Sequence, residues 1–310
     1  MSHYQHLVRV LSSVPMNRFQ QLLGVLGLVL CPFLLSAAPV QHHTFKTSDG
    51  VRLHYLEAGT GPQTIVFIPG WLMPAAVFEQ QLIGLSKQYR VLALDPRSQG
   101  LSELTKLSHA PTRRIKDMDE FIKFAKVNDY ILAGWSLAVL ESLDYVAKYA
   151  PKGLRGLILI DNSVGEGRPP AGRKSNFQQT MNDPKKREQY MRTFSQDIYR
   201  KPPPPLIAQA VLDSALRAPP NVAIQLLNQP YPREYWRETL EKQQVPVLFA
   251  VRPWLKEQAD ALVRKRAPEL ITIAMFEQAG HALFVDEPAT FNQAVLSFSK
   301  HAFAQPRKNP

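Results

Sequence analysis

Short apolar blocks alternate along the chain with stretches of helical spacing. Thr64-Ile65-Val66-Phe67-Ile68 is a continuous apolar run between Gly59-Thr60-Gly61-Pro62 and Pro69-Gly70. A strand buried on both faces reads this way. Similar runs lie at Tyr89 to Leu94, Tyr130 to Ala133, Leu154 to Ile160, Val245 to Val251 and Ile271 to Phe276. Between them, helical spacing predicts helices over Met73 to Leu85, Ile115 to Ala125, Leu137 to Tyr149, Gln258 to Arg266 and Pro288 to Ser299. Before the series, Thr44 to Glu57 reads as a hairpin turning at Ser48-Asp49-Gly50, with Val51, Leu53 and Tyr55 on one face. Alternating strand and helix implies parallel pairing through crossover helices, so the expected class is α/β with a mostly parallel central sheet.

The alternation lapses from about residue 165 to 244. That interval is polar, basic and proline-rich, with helical pieces such as Leu206 to Leu216. Its place after the strand ending near Asp161 predicts a helical cap inserted over the active edge of the sheet. Trp236, Tyr231, Leu226 and Leu227 within it suit either an apolar pocket or packing between cap and core.

The first 38 residues stand apart. Leu22 to Leu35 is almost purely apolar, with Arg18 before it and Ser36-Ala37-Ala38 after it. The run is short for a membrane span, and the pattern is that of a secretory signal peptide. The expectation is an exported protein, periplasmic or secreted, with no membrane span after cleavage and residues 39–310 as the functional domain. The alternative is an anchor through residues 22–38. The single cysteine, Cys31, falls in this segment, so the rest of the chain has no disulfide or cysteine metal chemistry. The charge of +11 changes little: basic residues are interleaved with acids and no nucleic-acid motif is present, so a solvated basic surface is expected.

The candidate chemistry centres on Gly134-Trp135-Ser136-Leu137-Ala138, between a buried strand and a helix. A sharp turn there lifts the Ser136 hydroxyl above the sheet edge and sets it at a helix N-terminus. About 65 residues earlier, Pro69-Gly70-Trp71 follows another buried strand. The Trp71 and Leu137 amides are then positioned as an oxyanion hole. Gly280-His281 follows the last strand and supplies a general base. The acid is open. Asp161 ends a strand on the same edge and gives the chain order Ser, Asp, His; Asp260 and Glu257 are rivals. No cluster has metal-ligand spacing, and no cofactor or metal is expected.

Those segments, with Leu53-His54-Tyr55, Leu94-Asp95-Pro96-Arg97-Ser98-Gln99-Gly100-Leu101-Ser102 and Phe284 with Glu287-Pro288, resemble the α/β-hydrolase superfamily. The branch they resemble holds small serine esterases and cofactor-free haloperoxidases. The resemblance spans roughly residues 43 to 300. It implies Ser136 as nucleophile, His281 as base and Trp71 and Leu137 as oxyanion donors, and it gives Asp95 to Ser102 a structural part. Three departures stand out: Pro69 where many members have histidine, Ala138 closing the elbow, and Arg252-Pro253-Trp254-Leu255 in the loop where many members carry the acid. A serine at position 136 argues against the superfamily's aspartate-nucleophile epoxide hydrolases and dehalogenases. The expected activity is hydrolysis of a small or apolar carboxylic ester. The alternatives are a perhydrolase or haloperoxidase-like enzyme and a non-catalytic binding module.

Overall fold

The computed structural model describes residues 39–166 and 176–306. The segment read as an export signal lies outside the described residues. Among them, no helix is long and apolar enough to cross a membrane.

Eight strands form one sheet: β1 (Gln41–Lys46), β2 (Arg52–Ala58), β3 (Thr64–Ile68), β4 (Arg90–Leu94), β5 (Tyr130–Trp135), β6 (Leu154–Ile160), β7 (Val247–Val251) and β8 (Ile271–Met275). Their order is β1-β2-β4-β3-β5-β6-β7-β8. The hairpin β1–β2 and the pair β2–β4 are antiparallel; every other neighbour is parallel. The mostly parallel sheet expected from the apolar runs is therefore present, with an antiparallel hairpin at one edge.

The inner parallel strands read as nearly unbroken apolar sequence because both of their faces are covered, while β8 at the edge is only partly buried. Val66, Ile68, Leu132, Leu157 and Phe249 pack on one side with residues of α2 (Pro111–Phe124), α3 (Leu137–Tyr149) and α9 (Lys256–Lys265). Ile65, Phe67, Ile131, Ile158 and Leu248 face the other, under α1 (Glu79–Leu85) and α11 (Pro288–Ala304). Full burial of such a side chain is worth roughly 1.5–3 kcal/mol, which makes these strands the anchor of the fold. Prolines set two helix starts: Pro111 opens α2 and Pro288 opens α11, at first-turn positions where a missing N–H costs nothing.

In the interval between β6 and β7 lie five helices: α4 (Phe177–Asn182), α5 (Pro184–Asp197), α6 (Pro205–Arg217), α7 (Pro220–Leu226) and α8 (Arg233–Lys242). A one-turn α10 (Leu283–Asp286) follows β8. The helix predicted over Met73 to Leu85 is in fact a 3-10 turn at Ala75–Phe78 leading into α1.

The chain runs from β3 outward to β4, then returns across β3 to β5. This reversal leaves the C-terminal ends of β3 and β5 adjacent with their connections diverging. In an open parallel sheet such a switch point is where a crevice forms.

Candidate active site

Ser136 sits directly after β5 and caps the N-terminus of α3. Its backbone has φ 56° and ψ −120°, a region that a non-glycine residue occupies only at a cost. Three hydrogen bonds hold it there. The Ser136 amide donates to the Ile160 carbonyl at 2.9 Å, and the Ser136 carbonyl accepts from Val139 N–H at 3.0 Å and Asn162 Nδ2 at 2.8 Å. The strained turn is thus tied to the end of β6. Helix α3 meets it closely: a Cβ at Gly134 would overlap the Ala138 carbonyl and lie 2.6 Å from Ser142 Oγ. The small residues at 134 and 138 permit that approach, so alanine in place of the usual final glycine is accommodated.

The turn after β3 comes against the same serine. A Cβ on Gly70 would lie 2.8 Å from Ser136 Cβ and 3.3 Å from its Oγ. Only a bare backbone fits there. Trp71 follows, and among the described residues no acceptor is recorded for the Trp71 or Leu137 amide. Leu137 opens α3, where the first N–H groups are free by geometry. Leu72 has φ 60°, and its amide donates to Gln99 Oε1. Asp95 accepts from Ala75 N–H at 2.5 Å and Leu101 N–H at 2.8 Å, with His54 Nδ1 at 2.7 Å. The Asp95–Ser102 segment therefore braces the Trp71 turn from behind.

His281 and Asp161 meet. His281 Nδ1 lies 2.7 Å from Asp161 Oδ2; because the carboxylate can only accept, Nδ1 carries the hydrogen and Nε2 is the ring nitrogen left facing away from Asp161. The His281 ring packs at 5.1 Å against Trp135, the residue before Ser136, and Trp135 Nε1 donates to the His281 carbonyl at 3.0 Å. Asp161 is fully buried at the end of β6 with φ 48°, its amide bonded to the Ala250 carbonyl at 2.9 Å. The rival acids are elsewhere. Asp260 pairs with Lys256 at 2.7 Å on the outer face of α9, and Glu257 is exposed on the same helix.

A serine on a strained strand-to-helix turn, a bare-backbone turn beside it and an Asp–His pair on loops of one sheet edge agree with the family evidence. The alpha/beta hydrolase family model matches residues 65–294. The chain belongs to that family. It is 27% identical over 278 residues to the pimeloyl-[acyl-carrier protein] methyl ester esterase of Sodalis glossinidius, covering 81% of this chain and 98% of that one. It is 32% identical over 111 residues to the 2-(acetamidomethylene)succinate hydrolase of Mesorhizobium japonicum, a match over 36% of this chain that spans only 39% of that protein's length. The structure of an esterase from Exiguobacterium antarcticum superposes with a TM-score of 0.70 at 23% identity, covering 83% of this chain and 98% of that one, which shows the shared fold. The chain is a hydrolase of this family.

In this alpha/beta hydrolase the helices between β6 and β7 lay an apolar wall beside the Trp71 turn. Trp71, Leu72 and Leu137 cluster with Met181, Met191, Val222 and Leu226 of the cap helices. The Trp71 ring stands against Phe177, Tyr190 and Phe194, and its Nε1 donates to the Ala223 carbonyl at 2.8 Å. Of the four cap residues singled out by sequence, Leu226 joins this wall. Leu227 is exposed, while Tyr231 stacks on Tyr235 and Trp236 meets both edge-on, against the α3 side of the core. Those aromatics are packing.

Sequence reasoning passed over three residues around the Asp–His pair. Arg252 and Trp254 both donate to Asp161. Buried Asp286 accepts from Gly280 N–H at 2.6 Å, Arg200 N–H at 2.8 Å and Lys201 N–H at 2.9 Å. It therefore ties the His281 loop to the connection between α5 and α6, as does Ala282 N–H donating to the Ile198 carbonyl at 2.8 Å. An acid five residues beyond a catalytic-type histidine was the available signal. Among the described residues, no three metal-ligating side chains come together.

Proposed function

We propose that the chain is a serine carboxylic-ester hydrolase in which Ser136 is the nucleophile, His281 the general base and Asp161 the acid that orients it. The observation that carries this is the 2.7 Å contact of Asp161 Oδ2 with His281 Nδ1 on the same sheet edge as the strained Ser136. With Nδ1 engaged, Nε2 is the nitrogen able to take the Ser136 proton as Oγ attacks the acyl carbon. The oxyanion that forms is held by the Trp71 and Leu137 amides, which have no acceptor among the described residues. His281 then returns the proton to the departing alkoxide. In the second half-reaction it deprotonates water, which attacks the acyl carbon; as the bond to Ser136 Oγ breaks, His281 gives that proton to Oγ, releasing the acid and restoring the serine.

The wall of Trp71, Leu137, Met181, Met191 and Leu226 favours an apolar acyl or aryl group. A full-length relative named as a methyl ester esterase supports an ester as the substrate. A fluorophosphonate probe tests the reading. Wild type is expected to label covalently and to hydrolyse aryl esters of short to medium acyl chains. Ser136→Ala is expected to lose labelling and at least about 10³-fold in kcat. Equal labelling of the two proteins would overturn it.

A further inference from the structure

The loop after β7 carries no carboxylate, yet it is built around one. Asp161 Oδ2 accepts from His281 Nδ1 and from Arg252 Nε, each at 2.7 Å. Asp161 Oδ1 faces the Arg252 amide at 3.2 Å and Trp254 Nε1 at 3.3 Å. Four donors thus occupy the roughly four acceptor positions of one carboxylate. Three of the four come from Arg252 and Trp254.

We propose that Arg252 is a positioning residue for the active site, acting through Asp161, with Trp254 as its auxiliary. This rests on the serine-hydrolase reading above. The Asp161 side chain is wholly buried, and a buried carboxylate needs a counter-charge. Among the described residues, the permanently charged group paired with it is the Arg252 guanidinium, its Nε 2.7 Å from Oδ2. A carboxylate also turns freely about its last torsion, whose preferences are broad. The Arg252 amide and the Trp254 indole fix Oδ1, and Nε fixes Oδ2, so the plane is set and Oδ2 stays aimed at Nδ1. Guanidinium and imidazole share one oxygen, so Arg252 also orients the acid at the atom where the imidazolium is stabilised during acyl transfer. The Arg252 side chain is 29% exposed, which leaves its outer nitrogens near solvent and its Nε on the buried oxygen.

The test is aryl-ester kinetics of Arg252→Met, Arg252→Lys and Trp254→Phe in the full chain, with thermal midpoints measured in parallel. Arg252→Met is expected to lower kcat by about 10- to 100-fold with KM within about twofold. Arg252→Lys is expected to recover part of that loss, because the charge is kept and the planar fork is not. Trp254→Phe is expected to lose less, about two- to fivefold, since one long hydrogen bond goes. The deciding measurement is Arg252→Met in an Asp161→Asn background, read as the rate of fluorophosphonate labelling. If Arg252 acts through the carboxylate, its removal there costs less than about twofold. An undiminished loss in that background, a change in KM alone, or wild-type kcat in Arg252→Met would each overturn the proposal. Labelling of Ser136→Ala at the wild-type rate would instead sink the underlying hydrolase reading, so the two failures are distinguishable. If Arg252→Met does not fold, the Lys and Phe variants decide: both at wild-type kcat refutes it.

Discussion

At the scale of single residues, the site depends on backbone placed where side chains would intrude. Gly70 bears directly on the serine, because its missing Cβ would fall 2.8 Å from Ser136 Cβ. Gly70→Ala is expected to push the Trp71 turn and the serine apart by up to about 1 Å. Misplacement of that order costs roughly 100-fold in kcat/KM, with fluorophosphonate labelling slowed in proportion and the circular dichroism spectrum unchanged. Ser136 and His281 were legible in the sequence because their meaning is local. Each follows a strand, and a neighbouring glycine marks the turn. Asp161 was harder. Loops after β6 and β7 end on the same edge, and which of them reaches His281 is set by tertiary contact. The parts of Arg252 and Trp254 had no local signature, since a donor to a carboxylate 91 or 93 positions away looks like any surface arginine or tryptophan.

At the scale of elements, apolar runs identified the parallel strands because burial on both faces leaves few polar positions in the inner ones; the edge strand β8, only partly buried, was still marked by Ile271, Ile273 and Met275. Helix ends were less legible. The segment at Ala75–Phe78 winds as a 3-10 turn rather than α-helix while Asp95 Oδ1 captures the Ala75 amide. The coupling between α5, α6 and the histidine loop is also an element-scale property, and Asp286 carries it. Asp286→Ala removes the acceptor from three backbone N–H groups in partly buried surroundings. A stability loss of roughly 2–4 kcal/mol is expected in urea unfolding, less for Asp286→Asn. Because Gly280 is one of the three, kcat should fall with it, and faster limited proteolysis near Arg200 and Lys201 would report the loosened connection.

At the scale of the whole molecule, stability should depend on acid through a group outside the proposed triad. His109 is buried beside Arg97 and Arg114; burial first, then those two cations, push its imidazole down to about 4. Between that value and the ordinary 6.5 the unfolded chain binds a proton that the folded chain refuses, so stability rises with pH across this window and is complete above it. The cost at the acid end is roughly 3 kcal/mol. His109→Asn is expected to shrink the gap between thermal midpoints at pH 4.5 and 7.5; an unchanged gap would remove His109 from the account. The last whole-molecule feature is the proposed acid, Asp161, mounted at the end of β6 and cradled by the loop after β7. Adjacent parallel strands ending side by side offer two pegs for one hook. A lineage could hang the carboxylate on either without moving the histidine, because whichever loop gives up the charge still stands close enough to hold it in place. The catalytic layout of such a sheet is therefore better described by the spot the carboxylate must occupy than by the strand that delivers it.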